Sequence, residues 1–146
     1  MQGIRYAAAL LALAVTGPAA TPSCQALASL EIPKIAITSA ALAASSPGRG
    51  GRSLPEFCRI TATSRPAPDS EIRFEVWLPS PDAWNHEFVG TGNGGYSGAL
   101  GYRDMETALE RGYATAGSNT GHEGDDLKFA VGHPEKINDW AFAPCT

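Results

Sequence analysis

Hydrophobic and polar residues alternate most regularly in "EIRFEVWLP", residues 71–79, where Ile72, Phe74, Val76 and Leu78 share one face and Arg73, Glu75 and Trp77 the other. A period of two puts successive side chains on opposite faces of a pleated strand, so this run predicts a half-buried strand. The β-rich "FCRITAT" before it is joined to it by the Pro-rich "SRPAPDS", and the two read as a hairpin. After the turn "PSPDAWNHE", the short apolar run "FVGTG" predicts a third strand. It leads into "GTGNGGYSGALGY", residues 90–102, with six glycines in thirteen positions.

"YRDMETALERG" changes the period to 3.6, with Met105, Ala108 and Leu109 on one side and Gly112 where a helix C-terminal cap belongs. "YATAGSNTG" then reads as a strand ending in a polar turn. Strand, glycine loop, helix and strand in that order predict a βαβ unit with a parallel pair. Upstream, "CQALASLEIPKIAITSAALAA" starts with a short helical pattern and passes into an alternating stretch at Ile35 and Ile37. "SSPGRGGRSLPEF", residues 45–57, is loop by composition.

The N-terminus belongs to none of these elements. A single early cation, Arg5, precedes the apolar run "AAALLALAV", and Gly17, Pro18 and Ala19 follow. The run is far shorter than the roughly 20 residues that span a bilayer, and residues 1–20 read as a secretory signal peptide. The Pro in "TPSC" makes acylation of Cys24 the weaker alternative. The expected location is therefore secreted or periplasmic, with no membrane attachment after the signal is removed. The remaining composition is that of one small globular domain, 43% hydrophobic and 18% charged, with a net charge of -4. Without a Lys/Arg cluster, this charge argues against nucleic acid as a partner.

Export changes how the three cysteines read. Cys24 and Cys58 flank a separation of 34 residues, and in an oxidising compartment such a pair usually closes. The bridge would tie together the two sides of the loop at residues 45–57. Cys145 is left without an obvious partner.

The glycine loop admits three chemistries. It relieves strain in a turn, cradles phosphate, or presents backbone N–H groups to a developing oxyanion. Its register matches neither a G-x-G-x-x-G helix start nor G-K-[ST], which weakens the phosphate reading. An oxyanion loop needs a nucleophile, and no G-x-S-x-G is present: "GYSGA" ends in Ala99. Ser97 and Ser118 read as hydrogen-bonding loop residues. "SNTGHEGDD" gathers His122, Glu123, Asp125 and Asp126, with His133 farther on, but the spacing fits neither H-E-x-x-H nor an EF-hand. A solvated acidic loop is the better reading, with no metal and no cofactor expected. His86 reads as a surface or packing residue.

Taken in order, "FEVWLP", "WN", "GNGG", "RGYA", "TGH" and "GHPEK" closely resemble the N-terminal part of the tannase and feruloyl esterase family of secreted α/β-hydrolases, from about Cys24 to Trp140. The resemblance implies an α/β fold, here a partial α/β-hydrolase sheet made of the N-terminal hairpin and the first βαβ unit, over residues 24–146. It also implies a Cys24–Cys58 disulfide, and one oxyanion N–H within Gly92 to Gly95, at Gly94 or Gly95. Family members cleave small aromatic esters of gallate or hydroxycinnamate type with a serine in a Gly-Cys-Ser-x-Gly-Gly elbow, and their lid can carry calcium. The tail "AFAPCT" departs from that pattern, so the expectation is a truncated catalytic domain that lacks the triad and the lid and is inactive alone. Cys145, in the divergent tail, is not equated with the elbow cysteine. The alternative is a secreted, non-catalytic binding module, which would have to tolerate an unpaired sheet edge and an uncovered apolar face.

Overall fold

The computed structural model describes residues 22–47 and 53–142; the expected signal peptide and Cys145 lie outside them. The chain begins with a 3₁₀ turn, Cys24–Ser29, capped by the Ser23 hydroxyl accepting from the Ala26 N–H at 3.3 Å. Then follow β1 (Ile35–Ala43), β2 (Ser46–Pro47), β3 (Ser53–Leu54), β4 (Phe57–Ser64), β5 (Ile72–Pro79), β6 (Phe88–Thr91), α1 (Tyr102–Glu110), β7 (Ala114–Ser118), a second 3₁₀ turn (Leu127–Ala130) and α2 (Pro134–Phe142).

Five strands form one mixed sheet in the order β1-β4-β5-β7-β6. The β4–β5 hairpin is present, with Ile60 opposite Val76 and Ser64 opposite Ile72. The expected βαβ unit is also there. β6 pairs with β7 in parallel, Phe88 opposite Ala114 and Thr91 opposite Gly117, and α1 forms the crossover. The fold class is thus the partial α/β sheet that the sequence implies, extended by β1 antiparallel to β4. β1 is bulged between Ile37 and Ser39, where the Thr38 hydroxyl donates to the Thr61 carbonyl at 3.0 Å. Within the segment read as loop, the described residues include β2 and β3, which pair antiparallel, Ser46 opposite Leu54 and Pro47 opposite Ser53.

The Cys24–Cys58 bond fastens the N-terminal 3₁₀ turn to the first residues of β4. Reduction would release a 34-residue separation that costs about 3 to 4 kcal/mol of loop entropy to close.

In strand β5 the helix covers the face that the sequence makes the more polar. Met105 and Leu109 of α1 are fully buried and cluster with Leu54, Phe57 and Trp77. The helix therefore covers the Arg73, Glu75 and Trp77 face, the more polar one by sequence. Trp77 packs between Phe57 at 4.7 Å and Tyr102 at 6.0 Å, centroid to centroid. Glu75 is tolerated there because every lone-pair direction is used: Arg59 donates twice, at 2.6 and 2.8 Å, the Trp77 indole at 2.8 Å and the Tyr102 hydroxyl at 2.9 Å. Burial alone would raise the Glu75 carboxyl, but these donors win and hold it below its ordinary value of 4.5. Gly117 makes the helix approach possible, since a Cβ there would meet Met105 Sδ at 2.9 Å.

The apolar face of β5 looks the other way. Phe74 and Val76, with Phe88 of β6 and Ala116 of β7, line a cavity of about 740 Å³ that Asp139 and Phe142 of α2 also line.

Candidate functional site

The glycine loop leaves the carboxyl end of β6, adjacent to β7, and enters α1 at Gly101. Loops at the carboxyl ends of parallel strands are where open α/β sheets bind ligands. Three side chains fix the path of this one. Asn93 donates through Nδ2 to the Ser97 carbonyl at 2.9 Å and to the Ser118 carbonyl at 3.0 Å, bridging the loop to the end of β7. His122 donates through Nε2 to the Tyr96 carbonyl at 2.9 Å. Trp140 of α2 donates through Nε1 to the Gly95 carbonyl at 3.1 Å, and its ring stacks on Tyr96 at 5.0 Å.

Gly94 and Gly95, the expected oxyanion donors, sit at the tip of this loop and are exposed. Their carbonyls are used, by Ser97 N–H and by Trp140. Their N–H groups have no acceptor among the described residues. Gly95 adopts φ +57°, and nothing lies within 4 Å of where a Cβ would stand at either residue. Glycine at 95 thus serves the backbone conformation. Gly98 is different: a Cβ there would meet the His122 carbonyl at 2.5 Å, so this glycine lets the loop and the 119–124 turn touch. Gly98 N–H donates to the Gly124 carbonyl at 2.8 Å across the same contact.

The acidic segment divides in two. Glu123, Asp125 and Asp126 are exposed, as a solvated loop should be, and Glu123 pairs with Arg73. His122 departs from that reading: it is buried, stacked on Phe129 at 3.8 Å, and holds the glycine loop. Among the described residues no three His, Cys, Asp or Glu side chains converge as metal ligands would. His133 is instead bonded to Asp69 at 2.6 Å on the surface, and His86 lies against Trp84, also exposed.

No serine oxygen lies within hydrogen-bond distance of a histidine nitrogen among the described residues. Ser118 and Ser97 lend their carbonyls to Asn93, and the Ser118 hydroxyl accepts from Thr120 N–H at 3.3 Å, in keeping with a loop role. One ionisable group near the loop is unusual. Asp139 is buried, with Oδ1 accepting from the Ser70 hydroxyl at 2.9 Å and Oδ2 partnerless among the described residues. Burial raises its carboxyl above the ordinary 3.8, against the Ser70 hydrogen bond.

Sequence reasoning names Gly94 and Gly95 as candidate donors but does not name the side chains that brace their loop. Asn93, His122 and Trp140 come from three separate segments, and none has a local pattern that points at a glycine loop. The "TGH" and "GHPEK" segments that carry His122 and lead to Trp140 were signals of family, not of contact.

The family model for tannase and feruloyl esterase matches residues 58–145. An uncharacterised esterase of Xanthomonas campestris is 43% identical over 146 residues, covering 95% of this chain and 25% of its own length. Among solved structures, feruloyl esterase B from Aspergillus oryzae superposes with a TM-score of 0.67 at 30% identity, over 82% of this chain and 27% of the other. A second esterase from Aspergillus oryzae gives 0.70 at 28% identity, over 80% and 25%. The chain spans about a quarter of the length of these relatives. With the family model covering more than half of the residues and the same sheet found in those structures, the chain belongs to the tannase and feruloyl esterase family.

Proposed function

We propose that this chain forms the electrophile-stabilising part of a secreted carboxylic ester hydrolase acting on small aromatic esters, and that by itself it does not turn them over. The observation that carries the reading is the pair of N–H groups at Gly94 and Gly95, without an acceptor among the described residues, on a loop braced by Asn93, His122 and Trp140. Acyl transfer passes through a tetrahedral species whose oxygen gains charge. Donors already in place there, with no reorganisation at the moment of reaction, are worth about 2.7 to 4 kcal/mol each in serine hydrolases. The substrate class rests on the feruloyl esterase and tannase relatives. Export rests on the apolar run at residues 7–15 and on the Cys24–Cys58 bond.

A serine esterase also needs a nucleophile, a base and an acid, acting as a unit. None of these is assembled among the described residues, and losing such a unit costs about 10⁴-fold or more. The test is hydrolysis of methyl ferulate and methyl gallate by the purified, oxidised chain. No turnover above buffer is expected. Turnover abolished by a serine-directed inhibitor would overturn the claim of inactivity.

A further inference from the structure

We propose that the exposed ring of Tyr96, backed by Trp140, is the platform on which the aromatic acyl group of the ester stacks while the N–H groups of Gly94 and Gly95 receive its carbonyl oxygen. The inference rests on the functional reading above and names the residue of that same site that reads the substrate's ring.

Tyr96 follows Gly95 directly, so its Cα lies about 3.8 Å from that of the second oxyanion donor. In a gallate the ring is bonded to the ester carbonyl, and in a hydroxycinnamate only a rigid double bond intervenes. The ring of either acid therefore stays within a few ångströms of the oxygen that these donors hold, and a surface that stacks on it has to stand beside them. Among the described residues the exposed side chains of Phe, Tyr and Trp are Trp84, Phe88, Tyr96 and Phe142. Trp84 precedes β6 and Phe88 begins it, so both belong to the amino end of that strand, whereas the glycine loop leaves its carboxyl end. Phe142 ends α2 and lines the cavity of about 740 Å³. Tyr96 alone of the four belongs to the glycine loop.

The ring of Tyr96 is held and still available. It stacks on Trp140 at 5.0 Å, with the two planes 26° apart, yet the residue remains 47% exposed. The same indole donates through Nε1 to the Gly95 carbonyl at 3.1 Å. One rigid bicyclic ring thus fixes both the aromatic surface and the peptide next to the donors. The main chain around them is bound as well: the Tyr96 carbonyl accepts from His122 Nε2 at 2.9 Å, and Ser97 N–H donates to the Gly94 carbonyl at 3.2 Å. Freedom already lost on folding is not lost again on binding, which favours the ligand. Tyrosine adds a large, rigid contact with only two side-chain torsions to order. An offset aromatic stack gains beyond the area it covers, by about two- to tenfold in Kd, and a saturated ring of the same size lacks that gain. The platform accordingly prefers aromatic acids to aliphatic ones.

The experiment titrates the oxidised full chain with methyl ferulate and, in parallel, with methyl cyclohexylacrylate, which keeps the conjugated ester and replaces the aromatic ring by a saturated one. Amide, indole and aromatic NMR resonances are followed. Methyl ferulate should bind with a Kd on the order of 1 mM, shifting Tyr96 and the Trp140 indole, and the cyclohexyl ester about two- to tenfold more weakly. Tyr96→Leu should weaken methyl ferulate by the same factor and erase the preference, Tyr96→Phe should retain it, and Trp84→Leu should change nothing. Equal affinity for the two esters, no binding of methyl ferulate, shifts confined to Phe88 and Phe142, or wild-type affinity in Tyr96→Leu would each overturn the platform. The oxyanion reading fails separately. Ring-dependent binding at Tyr96 without downfield movement of the Gly94 and Gly95 amides would uphold the platform and sink those donors, whereas downfield movement with wild-type affinity in Tyr96→Leu would keep the donors and sink the platform.

Discussion

Trp140 and Gly95 are 45 residues apart, yet the indole N–H of one donates to the carbonyl of the other at 3.1 Å. This bond, with the stacking of Trp140 on Tyr96, ties α2 to the tip of the glycine loop and turns the carbonyl of Gly95 inward. Gly94 and Gly95 are exposed, and their N–H groups have no acceptor among the described residues. Substituting Trp140→Phe should keep the stack and lose the bond, whereas Trp140→Ala loses both. The expected costs are about 1 kcal/mol for the first and about 1 to 2 kcal/mol for the second, from urea unfolding. Amide hydrogen exchange at Tyr96 to Gly98 should rise more in the alanine variant than in the phenylalanine one.

Two glycines of the same loop should respond in opposite ways to a methyl group. Gly98→Ala drives a Cβ into the His122 carbonyl, 2.5 Å away, and the backbone of both turns must shift. A loss of about 1 to 3 kcal/mol is expected in thermal or chemical melts. Gly94→Ala meets nothing within 4 Å and its backbone is not in the left-handed region, so stability should stay within about 0.5 kcal/mol. Equal losses at the two positions would contradict the loop geometry.

The two buried carboxylates predict opposite pH dependences. Glu75 is held below 4.5 by its donors, so its contribution is present above that value and is lost as the pH falls through the lower folded-state value. Glu75→Gln should therefore cost about 1 to 3 kcal/mol at neutral pH, at the modest end because Arg59 is 45% exposed, and the gap to the wild type should close in acid. Asp139 is raised above 3.8, so its protonated form is favoured by folding and its contribution is lost as the pH rises through the raised value. The stability of Asp139→Asn relative to wild type should improve with rising pH. Parallel melting series from pH 3 to pH 8 distinguish the two slopes.

Removing the disulfide tests the N-terminal attachment. Cys24→Ser with Cys58→Ala should lower stability by about 3 to 4 kcal/mol if the chain-entropy account holds. Loss of protection should be concentrated in the Cys24–Ser29 turn and β1, which depend on that anchor, while α1 and β7 keep theirs.

Much of this fold is legible in short-range pattern. The β4–β5 hairpin follows from two β-rich runs and a Pro-rich turn, and α1 from Met105, Ala108 and Leu109 at helical spacing, because each depends on local periodicity. The glycine loop's place between a strand and a helix is fixed by order along the chain. The choice of buried face in β5 is not local. Four apolar residues on one side suggest the core, but α1 covers the side with Trp77, and Glu75 is admitted there because Arg59, Trp77 and Tyr102 supply its hydrogen bonds. Those donors come from β4, β5 and α1, so no window of sequence contains the reason.

The sequence by itself determined the β4–β5 hairpin, the β6–α1–β7 unit, the disulfide pair and the family pattern, since periodicity, cysteine spacing and motif order are properties of neighbours along the chain; it did not reveal β2, β3 or α2. Only the tertiary structure decided that His122 is buried under the glycine loop, that Trp140 holds Gly95, and that Asp139 has an oxygen without a partner among the described residues. Each of these is a meeting of segments brought together by the sheet, where burial and hydrogen-bond geometry, not local preference, fix what a side chain does.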